Sequence, residues 1–300
     1  MWQVILHSTV AAAAFGLWSR RLRLPAGRAR RRLLAVVLVL PPLTAAVPGR
    51  GGERFRDELA WLDSSRLLAL PLPWPGGGGP HLYHLAALVA TLTVAAALWQ
   101  ELAPVLRHHP WGAVEDTVPE ALARRARALP GWGRLRLALA PGDDVVLSTS
   151  GLPGRPHLAL SRGAVERLAP DELEAALLHE HAHWRAGRWW STHALFAVRL
   201  VQLFNPGALW AFREYVVETE IACDRDAVAG LAGPGGARPL ARALMKVYAD
   251  THRGDVGTRS LLRRRVDALL GRVAIGDDAV APWTVVAVGA VLAAALPWLV

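Results

Sequence analysis

The chain contains the run His179-Glu180-His181-Ala182-His183, which fits the H-E-x-x-H pattern of a zinc-binding helix. In an α-helix a step of four residues returns to nearly the same face. His179 and His183 can therefore point two imidazoles at one cation while Glu180 flanks it. A water on that cation becomes acidic, and Glu180 is the base that would take its proton. His181 lies about 160 to 200° around the helix from both histidines and is expected on the solvated rim.

The surrounding stretch, Asp171 to Gly187, reads as a helix of an aqueous domain, with acidic residues in its first turn and a glycine near its end. A catalytic zinc site has three protein ligands and leaves one position for water, so the chain downstream must supply one more. Between Leu209 and Ala227, the residues Leu209, Phe212, Val216, Glu220, Cys223 and Ala227 fall on one helical stripe. Glu220 is the polar member of that stripe. A carboxylate there is costly unless it is paired or bound to a metal, which makes Glu220 the expected third ligand. Asp224, one turn on, is placed to accept the free ring N–H of a ligand histidine, the alternative being an ordinary surface acid. Glu214 and Glu218 project from the opposite half and read as solvated charges. Cys223 is the only cysteine, which excludes an intramolecular disulfide and a cysteine-rich metal cluster; it reads as a small buried residue.

The run PHLALSRGAVERLAPDELEAALLHEHAHW, with FNPGALWAFREYVVETEIACDRDAV after it, resembles the membrane-integrated zinc metallopeptidases of the BlaR/MecR antirepressor type. The resemblance spans about Val145 to Leu270 and includes the arginine-rich LLRRRVDALL. It implies one zinc ion per chain on His179, His183 and Glu220, with Glu180 as general base. The glutamate it implies is the one that helical phase selects. Many relatives carry an acid shortly after the second histidine, where this chain reads WRAGRWW. The best-known members continue into a penicillin-binding sensor that is not expected here, so β-lactam sensing is not carried over.

The elements that would hold this site include membrane segments. The chain is 53% hydrophobic with a formal net charge of +9 that comes almost wholly from arginine. Trp2–Trp18, Leu33–Val47, Leu82–Trp99 and Ala281–Val300 are the expected spans, the second interrupted by Pro41 and Pro42. Arg20, Arg21, Arg23, Arg28, Arg30, Arg31 and Arg32 lie between the first two, so the positive-inside rule puts that loop in the cytoplasm and the N-terminus outside. The catalytic domain is then cytoplasmic. Anionic headgroups are the expected contact of the arginines, and no direct nucleic-acid binding is expected, because interleaved aromatics are missing. A further apolar stretch, Ala194 to Phe212, cannot be a simple crossing, since that would part His179 from Glu220 across the bilayer. With Arg199, Gln202 and the Asn205-Pro206 break it reads as a buried or interfacial helix.

The expected fold is an α-helical membrane protein with an inserted small α+β zincin-like metallopeptidase domain. Its expected parts are an N-terminal membrane region over 1–106, the peptidase domain over 107–275 and a terminal membrane helix over 281–300. Arg134–Ala140, Val145–Ser150 and His157–Ser161 read as short strands, and HLALS is the expected edge strand beside the active-site helix. That edge would take an extended substrate by strand addition. The oxyanion donor is open among His193, Tyr215 and Arg225. His108 and His109 read as a solvated pair, and the Pro71–Pro80 run as a linker. The leading expectation is a membrane-anchored zinc endopeptidase in signal transduction, cutting a cytoplasmic protein. The resemblance implies a transcriptional repressor, a small winged-helix protein, as that partner. A processing or quality-control protease similar to the HtpX or CAAX-prenyl-protease type is the enzymatic alternative, and a receptor or scaffold that keeps the fold without turnover is the other.

Overall fold

A computed structural model describes residues 2–21, 27–45, 118–152, 155–185, 188–202, 205–231, 237–251 and 256–272, with 288–289 and 291–292. In chain order it contains helices α1 (Trp2–Arg21), α2 (Arg28–Ala45) and α3 (Glu120–Arg127), then strands β1 (Arg136–Ala140), β2 (Leu147–Leu152) and β3 (Arg155–Ser161). Helices α4 (Arg162–Arg167), α5 (Pro170–Arg185), α6 (Arg188–Val201), α7 (Pro206–Gly230), α8 (Ala237–Thr251) and α9 (Val256–Leu269) follow. The expected span Leu82–Trp99, the His108-His109 pair, the Pro71–Pro80 run and most of Ala281–Val300 lie outside the described residues.

The three strands form one sheet in the order β1-β3-β2, with β3 parallel to β1 and antiparallel to β2. This corrects the expectation that HLALS is an edge. His157–Ser161 pairs on both sides, with Arg136–Ala140 and with Leu147–Ser150, and its near-continuous burial is that of a central strand. The edge strand beside the active-site helix is β2. Its position is fixed through Ser161, whose Oγ caps α4 by accepting from Ala164 N at 3.0 Å and also accepts from Val146 N at 3.0 Å. At Gly163 the chain approaches so closely that a Cβ would lie 2.1 Å from the Asp143 carbonyl oxygen.

One core cluster fills the space between sheet and α5, with Trp132, Leu135, Leu139, Leu158, Leu160 and Leu177 all buried. His181 belongs on this side. It is buried, not solvated as its phase alone predicts, with Nε2 2.9 Å from the Pro130 carbonyl oxygen and its ring edge-on to Trp132 at 5.0 Å. The face of α5 opposite the ligand histidines packs on the sheet, so both faces are covered.

Helix α7 is enclosed in the same way. A second cluster joins Ala11 and Phe15 of α1 and Leu33, Leu34, Val37 and Leu38 of α2 to Ala208, Ala211 and Tyr215 of α7, while the other side of α7 meets α5 and α9. Glu218 is thus fully buried and Glu214 partly so and ion-paired, which corrects their reading as solvated charges. Glu218 accepts from Gly27 N at 3.0 Å and pairs with Arg30 at 3.3 Å, and Arg264 grips Glu214 with two hydrogen bonds of 2.8 and 3.0 Å. Among the described residues no helix is long and apolar enough to cross a membrane. In the first two expected spans the reason is polar content: His7, Ser8 and Ser19 interrupt α1, and α2 opens on arginines.

Candidate metal centre

Two helices present the ligand atoms. Glu172 sits in the first turn of α5 and reaches back to the Ala169 N–H at 3.0 Å, half of a capping box, while Lys246 and Arg242 of α8 hold its carboxylate at 2.6 and 3.0 Å. That anchored helix carries His179, Glu180 and His183 about two and a half turns or more beyond its start. Helix α7 begins at Asn205, whose Oδ1 accepts from Gly207 N and Ala208 N, with Pro206 in the first turn. Four turns later it brings Glu220 across from the two histidines.

The Nε2 atoms of His179 and His183 stand 3.1 Å apart, and Glu220 reaches them through Oε2 at 3.5 Å and Oε1 at 3.4 Å. Nitrogen and oxygen atoms of all three side chains lie within 4.8 Å of one another. Asp224, one turn on from Glu220, is buried with Oδ1 2.9 Å from His179 Nδ1. An Nδ1–H donated to Asp224 leaves the Nε2 lone pair free to face the cluster. Glu180 lies beside it and accepts from Thr149 N of β2 at 3.0 Å. Cys223 is fully buried between Glu220 and Asp224.

Arg265 of α9 completes the centre, and sequence reasoning did not single it out. It is buried, makes two hydrogen bonds of 2.8 and 2.6 Å to Asp224, and stands 3.0 Å from Glu220 Oε2. The signal was present in Leu261, Arg265 and Ala268, a stripe at helical spacing whose apolar members pack on Val217 and Ile221. The phase argument that selects Glu220 selects Arg265 when applied there.

The electrostatics fit a cation. Burial pushes the Glu220 carboxyl up, but Arg265 and the histidines outweigh it and hold it well below its usual range. Asp224 is likewise lowered, against the effect of burial, by Arg265 and His179. Burial disfavours charge on His179, yet Asp224 and Glu220 overcome that and raise it to about 9. The cluster thus draws positive charge to the spot that its three nitrogen and oxygen donors surround. Two imidazoles and a carboxylate suit zinc.

The centre opens on a cleft of about 420 Å³ lined by β2, α5, α7 and α8, with Tyr248 and Arg265 on its wall. His193 reaches this cleft. Arg225 is not among the lining residues, and Tyr215 instead directs its hydroxyl to Ser191 Oγ at 3.2 Å. Tyr248 was not expected; it lines the cleft, and burial raises its pKa against the pull of Arg265.

A small sheet edge beside a helix carrying two histidines and a glutamate, faced by a helix carrying a third donor, is the arrangement of a metal-dependent hydrolase domain. Residues 151–275 match the family of peptidases M56, described as BlaR1 peptidase M56. The matched segment holds β3 and all of α5, α7 and α9, and so includes His179, Glu180, His183, Glu220, Asp224 and Arg265. No curated protein matches the chain. Among solved structures it is similar to the crystal structure of S. mikatae Ste24p, at 15% identity and a TM-score of 0.38, over 82% of this chain and 67% of that one.

Proposed function

We propose that this chain is a membrane-anchored zinc endopeptidase with His179, His183 and Glu220 as metal ligands and Glu180 as general base. The observation that carries the reading is the convergence of those three ligands, within 4.8 Å, beside a glutamate that faces the same cleft. The match to an M56 peptidase supports it. A zinc ion held there would polarise a scissile carbonyl and acidify a water. Glu180 takes the proton of the attacking water and returns it to the leaving amine. Asp224 holds His179 in the tautomer that directs Nε2 to the metal, and Arg265 holds Asp224 and Glu220 in turn.

Substrate binds as an extended segment along the cleft side of β2, the edge strand that faces Glu180. The substrate is a cytoplasmic protein, and the likeness of the motifs to antirepressor peptidases favours a small winged-helix repressor in a signalling pathway. The membrane anchor comprises the region up to about residue 106 and the helix over 281–300, with the N-terminus outside and the peptidase domain over 107–275 inside. The arginine cluster between the first two apolar runs supports that orientation.

The test is cleavage of an unstructured protein such as casein by the purified full chain, stripped of metal and reloaded with zinc. Glu180→Gln is expected to keep the zinc and lose about 10²- to 10⁴-fold in rate. Cleavage by Glu180→Gln at the rate of the unaltered chain would remove the mechanism, and failure to bind zinc would remove the metal centre.

A further inference from the structure

Two polar residues that flank the junction, or elbow, of helices α6 and α7, Gln202 and Asn205, are deeply buried, at 6% and 3% exposed. Gln202 donates to the Leu38 carbonyl of α2 at 3.0 Å and Asn205 to Ser8 Oγ of α1 at 2.7 Å. The backbone at Gly207 comes so near to α1 that a Cβ would lie 2.8 Å from the Ser8 carbonyl oxygen. Ser8 and Leu38 stand in the middle of their helices, so the elbow is pinned halfway along the α1–α2 pair.

Charge is arranged around this elbow in levels. Moving from it toward the metal centre, the first charged residue on α1 is Arg20, on α2 Arg32 and on α7 Arg213. At 1.5 Å per residue these lie about 18, 9 and 12 Å from Ser8, Leu38 and Asn205. Each of the three helices thus carries an uncharged stretch on this side, deepest on α1 and shallowest on α2, and on α1 and α2 this uncharged layer continues past the elbow to Trp2 and Ala45. Its length on α1, Trp2 to Ser19, is about 27 Å, close to the roughly 30 Å of a bilayer's hydrocarbon core. The elbow lies near the middle of that layer.

Among the described residues the outer surface of the layer is apolar apart from Thr9, whose hydroxyl is donated to the Ile5 carbonyl of its own helix at 2.7 Å. Leu17, Leu43 and Trp210 are 57%, 60% and 36% exposed, and Ala194 and Ala197 of α6 face outward. Arg199, the charged residue of this stretch, is turned inward and buried, its guanidinium 5.6 and 5.9 Å from the rings of Phe196 and Phe212. At the level where charge resumes, Arg21, Arg32 and Arg213 are exposed.

We propose that residues 194–212 form a re-entrant elbow that enters the bilayer to about its midplane beside α1 and α2, with Arg21, Arg32 and Arg213 at the anionic headgroups. Polar groups are tolerated at that depth only when protein satisfies them, and Gln202 donates to the Leu38 carbonyl while Asn205 donates to Ser8 Oγ and accepts from Gly207 N. The polar residues that weaken α1 as a lone span are partly explained by this: Ser8 serves the elbow. Glu220 follows Arg213 by seven residues, which sets the metal centre about 10 Å beyond the headgroup level. A substrate must therefore present its cleavage site close to the membrane surface. The elbow rests on packing and charge and does not require the peptidase reading.

The test is nitroxide labelling of Ala197→Cys in the full chain, reconstituted in vesicles of phosphatidylcholine and phosphatidylglycerol. Native Cys223 is fully buried, and the unaltered chain gives the labelling background. Electron paramagnetic resonance then compares relaxation by oxygen, which concentrates in acyl chains, with relaxation by a water-soluble nickel chelate. The oxygen-to-nickel ratio at Ala197→Cys is expected to equal that at Leu43→Cys and to exceed severalfold that at Arg238→Cys, an exposed site on α8. A ratio equal to that at Arg238→Cys overturns the proposal, because the face is then in water. Shielding from both reagents also overturns it, because another part of the chain then covers the face. Neither outcome depends on zinc or cleavage, so a correctly inserted but inactive chain would count against the peptidase reading alone.

Discussion

Replacing Arg265 by methionine removes the guanidinium that binds both Glu220 and Asp224, while keeping most of the side-chain volume. Both carboxylates are held ionised in the folded chain, so the variant leaves the buried Asp224 and the partly exposed Glu220 without their guanidinium. Breaking a buried pair in this way costs about 3–5 kcal/mol. At about 2–4 °C per kcal/mol for a chain of this size, the midpoint of thermal unfolding should fall by roughly 6–20 °C. The proton that Asp224 and Glu220 draw onto His179 offsets part of the loss, which favours the lower half of that range. The assay is thermal unfolding of the full chain in detergent, with chelator and then with saturating zinc. A bound cation replaces the missing charge, so the difference between variant and unaltered chain should shrink with zinc. Zinc affinity, by calorimetry, should hold or tighten, because Arg265 competes for Glu220 Oε2. An equal difference in both conditions, or none with chelator, would refute the electrostatic account.

Other outcomes follow from single contacts. Asp224→Asn should lower zinc affinity about 10- to 100-fold, measured by competition with a chelating dye, because His179 loses its orienting carboxylate. Glu172 is held below its usual pKa, against burial, by Lys246, the Ala169 amide and Arg242, so its contribution is present above the unfolded pKa and is lost as pH falls through the folded one. Glu172→Gln should therefore cost about 1.5–3 kcal/mol at neutral pH, and in melting experiments the difference should shrink as pH falls below the ordinary glutamate pKa of about 4.3 and vanish once the folded carboxylate is protonated. Gly163→Ala should push the Asp143 carbonyl away, at a cost of about 1–3 kcal/mol, and limited proteolysis should then cut between residues 141 and 146 faster.

Sequence periodicity put Glu220 on one face with Val216, and both line the cleft; the three strand segments lie within a residue or two of their places, because local pattern decides both. What it could not supply was the number of covered faces. Glu218 and His181 were assigned to water on the assumption that a helix with one apolar stripe has a solvated back. In α7 that back is covered by α1 and α2, and in α5 by the sheet. Strand order was also invisible, since β1, β2 and β3 are similar in length and pairing is non-local; the heavier burial of β3 was the available hint. Arg265 was missed because an arginine-rich helix reads as surface unless its phase is examined against Leu261 and Ala268.

Two consecutive arginines set the rotation of α9. Arg264 takes Glu214 and approaches Glu218, while Arg265, about 100° further round, takes Glu220 and Asp224. The four acids are spread over almost three turns of α7, so the two helices engage like a key with offset teeth. Arg263 precedes this pair, so a slip of α9 by one residue would still offer arginines to the carboxylates, and it is the seating of Leu261 and Ala268 on Val217 and Ile221 that singles out the observed register. The last described helix of the matched segment is in this sense the gauge by which the metal-binding helix is aligned.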